Sequence, residues 1–218
     1  SPYCYAANNP IKFIDSDGKD ILIWYKNDNG QMNSYRYTGG SISHSNSYVN
    51  KVATAWNYNV SNGKDNGGGK PSYEAATNRN ITINVRETDG ASEYVDKTNT
   101  VYWNPELGTL NENGTVTSPA SDIDHELDHG VQHALNPIEY NKDSQPNTSP
   151  GFGKKEEERV ITGSEQKTAR ANGEIKKNQI TRTCHRGQSV ITEGITSTKN
   201  YQKRTDKFNR QQEKRAWD

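Results

Sequence analysis

The sequence predicts an α+β fold in which a small mixed sheet lies beside two helices. Two segments repeat their apolar residues with a helical period, and one of them, residues 119–135, has Ser-Pro at its start and Asn-Pro at its end. Short runs of β-branched and aromatic residues precede it. Only 29% of the 218 residues are hydrophobic. We therefore expect a thin core, long loops and aromatic side chains that carry much of the apolar contact.

Charge and cysteine content exclude several classes of protein. The 27 basic and 27 acidic residues balance, which gives no overall attraction to nucleic acid or to a membrane surface. Cys4 and Cys184 belong to no Cys-x-x-Cys pair, so neither a disulfide framework nor a cysteine-based zinc cluster is encoded. No apolar run approaches the roughly 20 residues that span a bilayer, and Ser1 begins a polar stretch. We expect neither a signal peptide nor a transmembrane segment.

The first part of the chain has the pattern of a hairpin followed by a helix. Residues 21–25 and 34–38 have strand composition and flank an Asn-Gly turn, which predicts an antiparallel pair. Residues 47–60 carry apolar side chains at helical spacing, with Ser45 or Ser47 as the expected cap.

A glycine-rich stretch and two further strands come next. Residues 62–70 lack the phosphate-binding pattern G-x-x-x-x-G-K-[ST], and no capped helix is expected directly after them, so they are predicted to form a flexible loop. Residues 81–85 alternate apolar and polar side chains, and residues 100–105 form a second strand-like run.

The helix predicted over residues 119–135 contains the pattern His-Glu-x-x-His. His125 and His129 are four residues apart and share one face, so both imidazoles can bind one metal ion while Glu126 lies beside an open coordination position. Neutral imidazoles bind zinc well, and a water activated at such a site needs a base to accept its proton. We interpret His125 and His129 as zinc ligands and Glu126 as the general base. A surface helix rich in charged residues is the alternative.

His133 lies four residues farther along the same helix. On an unbroken helix it is about 12 Å along the axis from His125, too far for one ion to bind both. We expect a surface residue or one that supports a ligand. Asp124 and Asp128 are candidates for orienting a ligand imidazole.

A third metal ligand is expected from a second helix. Residues 141–155 are rich in Asn, Ser, Pro and Gly and predict a loop, and the stretch after them has a helical pattern that Gly173 ends. A carboxylate often completes a two-histidine zinc site. Glu157 is the first choice, with Glu158 and Glu165 as alternatives, and each is otherwise an ordinary solvent-facing carboxylate.

The last part of the chain offers candidates for stabilising charge on a substrate oxygen. Residues 180–184 and 189–192 have strand composition. His185 is the candidate hydrogen-bond donor and Tyr140 a weaker one, although His185 is equally well explained as a surface residue. Residues 199–215 include 7 basic and 2 acidic residues, which predicts a solvated helix or a partly ordered basic tail.

Residues 3–20 combine two tyrosines, Asn-Asn-Pro and Ile-Asp followed by Gly in fixed register. This stretch resembles the segment that closes the Rhs/YD-repeat core, although Ser16 stands where that pattern has proline. In that family a variable toxin domain comes after the segment. The resemblance implies that residues 1–20 are an Rhs core-associated segment and residues 21–218 a toxin domain with a basic tail. An ordinary hairpin is the alternative for residues 3–20.

Residues 118–187 resemble the zincin toxin domains attached to Rhs-type polymorphic toxins. Besides His-Glu-x-x-His, the matching residues are Glu157 or Glu158, Val160, Glu165, Gly173, Glu174, Arg182 and His185. The resemblance implies a zincin-like α+β fold, with the small mixed sheet beside the active-site helix and a second ligand-bearing helix. The edge strand of such a sheet binds an extended substrate by main-chain hydrogen bonds. Residues 101–103 are the candidate for that strand, but ordinary structural strands have the same pattern.

Together the two resemblances imply a zinc-dependent endopeptidase toxin that hydrolyses peptide bonds in a target-cell protein. They also imply its partners, namely an Rhs shell, secretion machinery of the type VI kind and a cognate immunity protein. Such an effector is secreted and acts in the cytoplasm of the target cell. Two other classes stay open: a non-catalytic, metal-stabilised structural or adaptor domain, and a metal-dependent nuclease. Balanced charge and imidazole ligands disfavour the nuclease.

Overall fold

The computed structural model describes residues 19–217. They form a five-stranded mixed sheet, a three-stranded antiparallel sheet and the helices that connect and cover them. The α+β class and the small mixed sheet are confirmed. The segment predicted to be Rhs core-associated, residues 1–20, lies outside the described residues except for its last two.

The larger sheet has the strand order β2-β1-β3-β5-β4. Its strands are β1 (Lys19–Lys26), β2 (Met32–Tyr37), β3 (Ile81–Glu87), β4 (Glu93–Val95) and β5 (Thr100–Trp103). The central strands β1, β3 and β5 are parallel, whereas β2 and β4 pair antiparallel at the two edges. The predicted hairpin is confirmed as β1 and β2, and the two later strands are confirmed as β3 and β5.

The prediction that residues 101–103 form the edge of the sheet is wrong. Strand β5 pairs with β3 on one side and with β4 on the other. A short helical turn after β4 ends at Asn99, which has a φ of 48° and reverses the chain into β5. The edge strand nearest the His-Glu-x-x-His helix is therefore β4.

The helices before β3 differ from the prediction at their ends. Helix α1 (Ser47–Gly63) is confirmed, but its cap is Asn46, whose side chain accepts hydrogen bonds from the backbone of Tyr48 and Val49. Helix α2 (Lys70–Thr77) was not expected. It begins after Gly69, which has a φ of 61° and whose Cβ, if present, would lie 2.3 Å from a backbone oxygen of Asn59. A glycine is therefore required there for close packing of α1 and α2.

Helix α3 (Pro119–Leu135) has the predicted bounds and the predicted cap, Ser118. Its buried face carries Ile123, Leu127 and Val131, whereas Leu135 at its end is 42% exposed. A Cβ on Gly130 would lie 2.8 Å from the side chain of Ile83 in β3. This small residue lets the helix lie close against the sheet and fixes the histidines beside it.

The smaller sheet contains β6 (Leu107–Asn111), β7 (Val116–Thr117) and β8 (Gly187–Ile191) in the order β7-β6-β8. Strand β8 confirms the prediction for residues 189–192. The prediction of a strand over residues 180–184 is wrong. The Arg182 side chain turns inward to Glu165, and the backbone N–H of Thr183 donates to the Glu112 carboxylate and not to a neighbouring strand.

The remaining helices lie after α3. They are α4 (Pro137–Asp143), α5 (Lys155–Val160), α6 (Gln166–Ala171) and α7 (Gln202–Trp217). Helix α4 was not expected. A π-helical turn over Ile161–Glu165 joins α5 to α6 without a break, and Gly173, with a φ of 73°, ends the helical stretch as predicted. The basic tail is helical. None of the helices in residues 19–217 has the length and apolar character needed to cross a membrane.

Candidate metal centre

His125 and His129 lie side by side on the buried face of α3. Their Nε2 atoms are 3.2 Å apart, and each residue is 5% exposed. The carboxylate of Glu126 lies close enough that one ligand atom from each of the three residues falls within 4.8 Å of the others. The predicted shared face is confirmed, and this buried His-Glu-His group could hold a metal ion.

Glu157 brings a carboxylate oxygen from α5 to the same point. Its Oε2 atom is 3.5 Å from the Nε2 atoms of both His125 and His129. This oxygen is buried and has no hydrogen-bond partner within residues 19–217. In a tetrahedral zinc site with bonds of about 2.0–2.1 Å, neighbouring ligand atoms are about 3.3–3.4 Å apart. The three side chains therefore fit a zinc ion.

The far side of each imidazole is bonded to another glutamate. The Nδ1 atom of His125 is 2.8 Å from Oε2 of Glu165, and the Nδ1 atom of His129 is 3.0 Å from Oε1 of Glu156. A carboxylate on Nδ1 fixes the ring and directs Nε2 toward a metal. Glu165, one of the alternative ligands, thus lies on the ring nitrogen that faces away from the centre. Glu156 was not singled out from the sequence, because its neighbours in the acidic triplet have the same character.

An arginine supports each of these two glutamates. Arg182 donates to Glu165 at 2.5 Å, and Arg159 donates to Glu156 at 2.7 Å and to Asp128 at 3.0 Å. Two chains of contacts therefore converge on the centre, each running from an arginine through a glutamate to a histidine.

Neither aspartate of the helix orients an imidazole, so that prediction is wrong for Asp124 and Asp128. Asp124 is fully buried and accepts hydrogen bonds from Ser72 and Thr168, which ties α3 to α2 and α6. Asp128 accepts from Arg159. Both side chains leave α3 on faces that do not contact the ring nitrogens.

Protons and a metal ion compete for the imidazoles. Burial lowers the pKa of His129, but the carboxylates of Glu156 and Glu157 outweigh it and raise the pKa to about 9. Burial also lowers the pKa of His125, but the carboxylates of Glu157 and Glu165 outweigh it and leave the pKa well above its usual value. Burial raises the pKa of Glu165, whereas His125 and Arg182 lower it to about 2. The carboxylates are thus ionised at neutral pH.

The other candidate residues lie around this group. His185 is half exposed, with Nε2 3.4 Å from Oε2 of Glu157, and burial lowers its pKa. Glu158, the other alternative ligand, accepts a hydrogen bond from Ser149 at 2.7 Å. His133, as expected, is outside the group, and its Nδ1 atom is 2.8 Å from the Tyr94 hydroxyl.

Tyr140, the weaker candidate donor, is 6% exposed and packs into an aromatic cluster at the end of α3. Its ring stacks on His133 with centroids 4.5 Å apart and meets Tyr94 edge to face. The cluster joins β4, α3 and α4, which gives His133 a packing role apart from the group of His125 and His129.

A cleft of about 310 Å³ opens directly onto the group. Glu126 and His185 line it together with Arg182, and Ala91 and Ser92 bring the chain that leads into β4 to its rim. A substrate in this cleft would contact Glu126 and His185 at once.

No family model matches the chain, and neither the curated proteins nor the solved structures contain a match. The site is therefore interpreted from its own residues.

Proposed function

We propose that this chain is a zinc-dependent endopeptidase of zincin-like fold, with zinc held by His125, His129 and Glu157. The observation that carries the proposal is the oxygen Oε2 of Glu157, which is buried without a hydrogen bond from any described residue and is 3.5 Å from both histidine nitrogens. A buried ionised oxygen is costly without a positively charged partner. Protonated imidazoles supply that charge in the metal-free protein, and a zinc ion would take the place of their protons.

Each side chain has a separate task in the proposed reaction. Held by His125, His129 and Glu157, a zinc ion would supply Lewis acidity, which would lower the pKa of water towards about 7 and polarise a carbonyl oxygen. Glu126, which lines the cleft beside the histidines, accepts the proton from the attacking water and passes it to the departing amine. His185 is neutral at pH 7, because burial lowers its pKa, and it donates a hydrogen bond to the substrate oxygen as negative charge develops.

The free edge of β4 beside the cleft supports a polypeptide substrate. Strand β4 pairs with β5 on one side, and its other edge pairs with no strand within the described part of the chain. The residues that lead into β4, Ala91 and Ser92, line the cleft. An extended peptide can add to this free edge by main-chain hydrogen bonds and pass Glu126 in the cleft.

The wider biological role rests on the two sequence resemblances. Residues 3–20 resemble the end of an Rhs core and residues 118–187 resemble a zincin toxin domain, and Rhs-type toxins carry their toxin domain directly after the core. We therefore propose a type VI-type Rhs effector that cleaves a protein in the target-cell cytoplasm and is neutralised by an immunity protein.

The catalytic proposal is tested with Glu126→Gln. The variant is expected to bind zinc with unchanged stoichiometry, measured by elemental analysis, while hydrolysis of an unstructured protein substrate falls by about 10²–10⁴-fold. Glu139→Gln, an exposed glutamate of α4, is the matched control and should behave as wild type. Full hydrolysis by Glu126→Gln would exclude Glu126 as the general base. Absence of hydrolysis by the wild-type protein, with full toxicity of Glu126→Gln in bacteria, would instead support the non-catalytic metal-stabilised domain.

The ligand proposal is tested within the glutamate triplet. Glu157→Gln should lose tight zinc binding, whereas Glu158→Gln, which removes only the carboxylate bonded to Ser149, should keep it. Equal zinc affinity of the two variants would exclude Glu157 as a ligand. Cleavage of nucleic acid, with magnesium preferred over zinc, would support the nuclease alternative.

A further inference from the structure

A second and larger cavity, of about 780 Å³, lies at the carboxyl ends of the parallel strands of the five-stranded sheet. Its lining comes from the carboxyl ends of the three parallel strands and from the first turns of α1: Trp24 and Lys26 of β1, Arg86 of β3, Tyr102 of β5, and Tyr48 and Lys51 of α1. Ligands of α/β sheets bind outside the carboxyl ends of parallel strands. The cavity shares no lining residue with the cleft that contains Glu126.

Two polar atoms of this lining are buried and unsatisfied. The Nε of Arg86 and the hydroxyl of Tyr48 have no hydrogen-bond partner among residues 19–217. Tyr48 is 3% exposed. Native proteins leave few buried donors unpaired, because each one costs free energy. Two such donors in one cavity point to a ligand that supplies hydrogen-bond acceptors.

The charge of the lining favours an anion. Its cations are Lys26, Lys51 and Arg86. Of its acids, Asp89 is 2.7 Å from Arg215 and Glu106 is 2.9 Å from Arg204, both on α7. Among the described residues of the lining, this leaves the exposed Glu87 as the one acid that is not paired with an arginine of α7. The cavity therefore has an excess of positive charge.

The walls favour a planar group. The guanidinium of Arg86 lies 4.9 Å above the ring of Trp24, and Tyr25 and Tyr102 also line the cavity. A guanidinium beside an aromatic ring can pair with a phosphate or a carboxylate through its N–H groups.

We propose that this cavity binds a small ligand in which a phosphate or carboxylate is attached to a planar ring. Arg86 pairs with the anionic group, the Tyr48 hydroxyl donates to it, and the aromatic walls contact the ring. This binding activity is independent of the proposed peptidase, because it uses neither the metal centre nor its cleft.

The test measures binding of phenyl phosphate to the full chain by titration calorimetry, with inorganic phosphate and phenol as partial probes. Phenyl phosphate should bind at least tenfold more tightly than either partial probe. Tyr48→Phe and Arg86→Met should each weaken it at least tenfold. The matched controls Tyr73→Phe and Arg79→Met, at exposed positions outside the cavity, should have no effect.

A second measurement separates a binding role from a structural one. Tyr48→Phe removes an unpaired buried hydroxyl and keeps the ring, so it should raise the melting temperature of the ligand-free protein while it weakens binding. A lower melting temperature would indicate a structural hydrogen bond and count against the proposal. Absence of phenyl phosphate binding at millimolar concentration, wild-type affinity in both variants, or loss of binding on adding a metal chelator would each overturn it.

Discussion

Replacing Glu165 or Glu156 with glutamine should weaken zinc binding to a similar degree but change stability very differently. Each carboxylate is bonded to the Nδ1 of one proposed ligand, at 2.8 Å from His125 and 3.0 Å from His129. Loss of such a supporting carboxylate typically weakens metal affinity by about 10–100-fold, or roughly 1.4–2.8 kcal/mol. Both variants should therefore show this loss in competition with a chromophoric chelator.

The stability difference arises from the arginines. The side chain of Arg182 is 11% exposed and hydrogen-bonds only Glu165 among residues 19–217. Removing the charge of Glu165 takes from this buried cation the one carboxylate hydrogen-bonded to it in the described chain, which costs about 3–5 kcal/mol. Arg159 is 34% exposed and keeps Asp128 as a partner, so Glu156→Gln should cost only about 1 kcal/mol.

Urea unfolding with a chelator present measures these costs without a contribution from metal binding. Equal destabilisation by the two substitutions would refute the argument that Arg182 depends on Glu165 more than Arg159 depends on Glu156. Unchanged zinc affinity in both variants would refute the role of the glutamates in orienting the imidazoles.

Three further outcomes are expected. Burial raises the pKa of Glu174 from its usual 4.5 to about 7, so the folded state retains this proton and stability falls as pH rises between those values. Glu174→Gln should therefore gain up to about 3 kcal/mol over wild type across that window in urea titrations. Asp124→Asn should cost about 1–3 kcal/mol of stability yet leave zinc affinity unchanged in chelator competition, since Asp124 contacts Ser72 and Thr168. Zinc affinity should fall as pH drops below about 9, the pKa of metal-free His129, and zinc removal should lower the melting temperature.

The parts of the fold that the sequence predicted are those with strong local signals. Helix α3 has Ser118 as its cap, a proline at its first position and a continuous apolar stripe, so both its bounds and its metal-facing side were predictable. The edge strand was not, because β4 is short and its position depends on the chain reversal at Asn99. Helix α2 was missed because it begins at Gly69 without a side-chain cap.

The candidate site was predictable only in part for a similar reason. Glu156, Glu157 and Glu158 have the same chemistry, and only their directions around α5 separate them. In the structure Glu156 reaches Nδ1 of His129, Glu157 reaches the Nε2 atoms, and Glu158 reaches Ser149. Adjacent residues of a helix point about 100° apart, so the assignment depends on how the helix is rotated. That rotation is set by packing against α3, which spacing in the sequence does not encode.

The π-helical turn explains how two glutamates of one helical stretch reach the two ring nitrogens of His125. Glu157 approaches Nε2 of His125 and Glu165 approaches its Nδ1, although the two glutamates are eight residues apart. In a regular α-helix, residues eight apart point in directions that differ by about 80°. The wider turn over Ile161–Glu165 accommodates one extra residue, which reduces that difference to roughly 20°. An α-helical pattern assigned from periodicity places Glu165 on a different face, so its task beside His125 depends on an irregularity that the periodicity does not reveal.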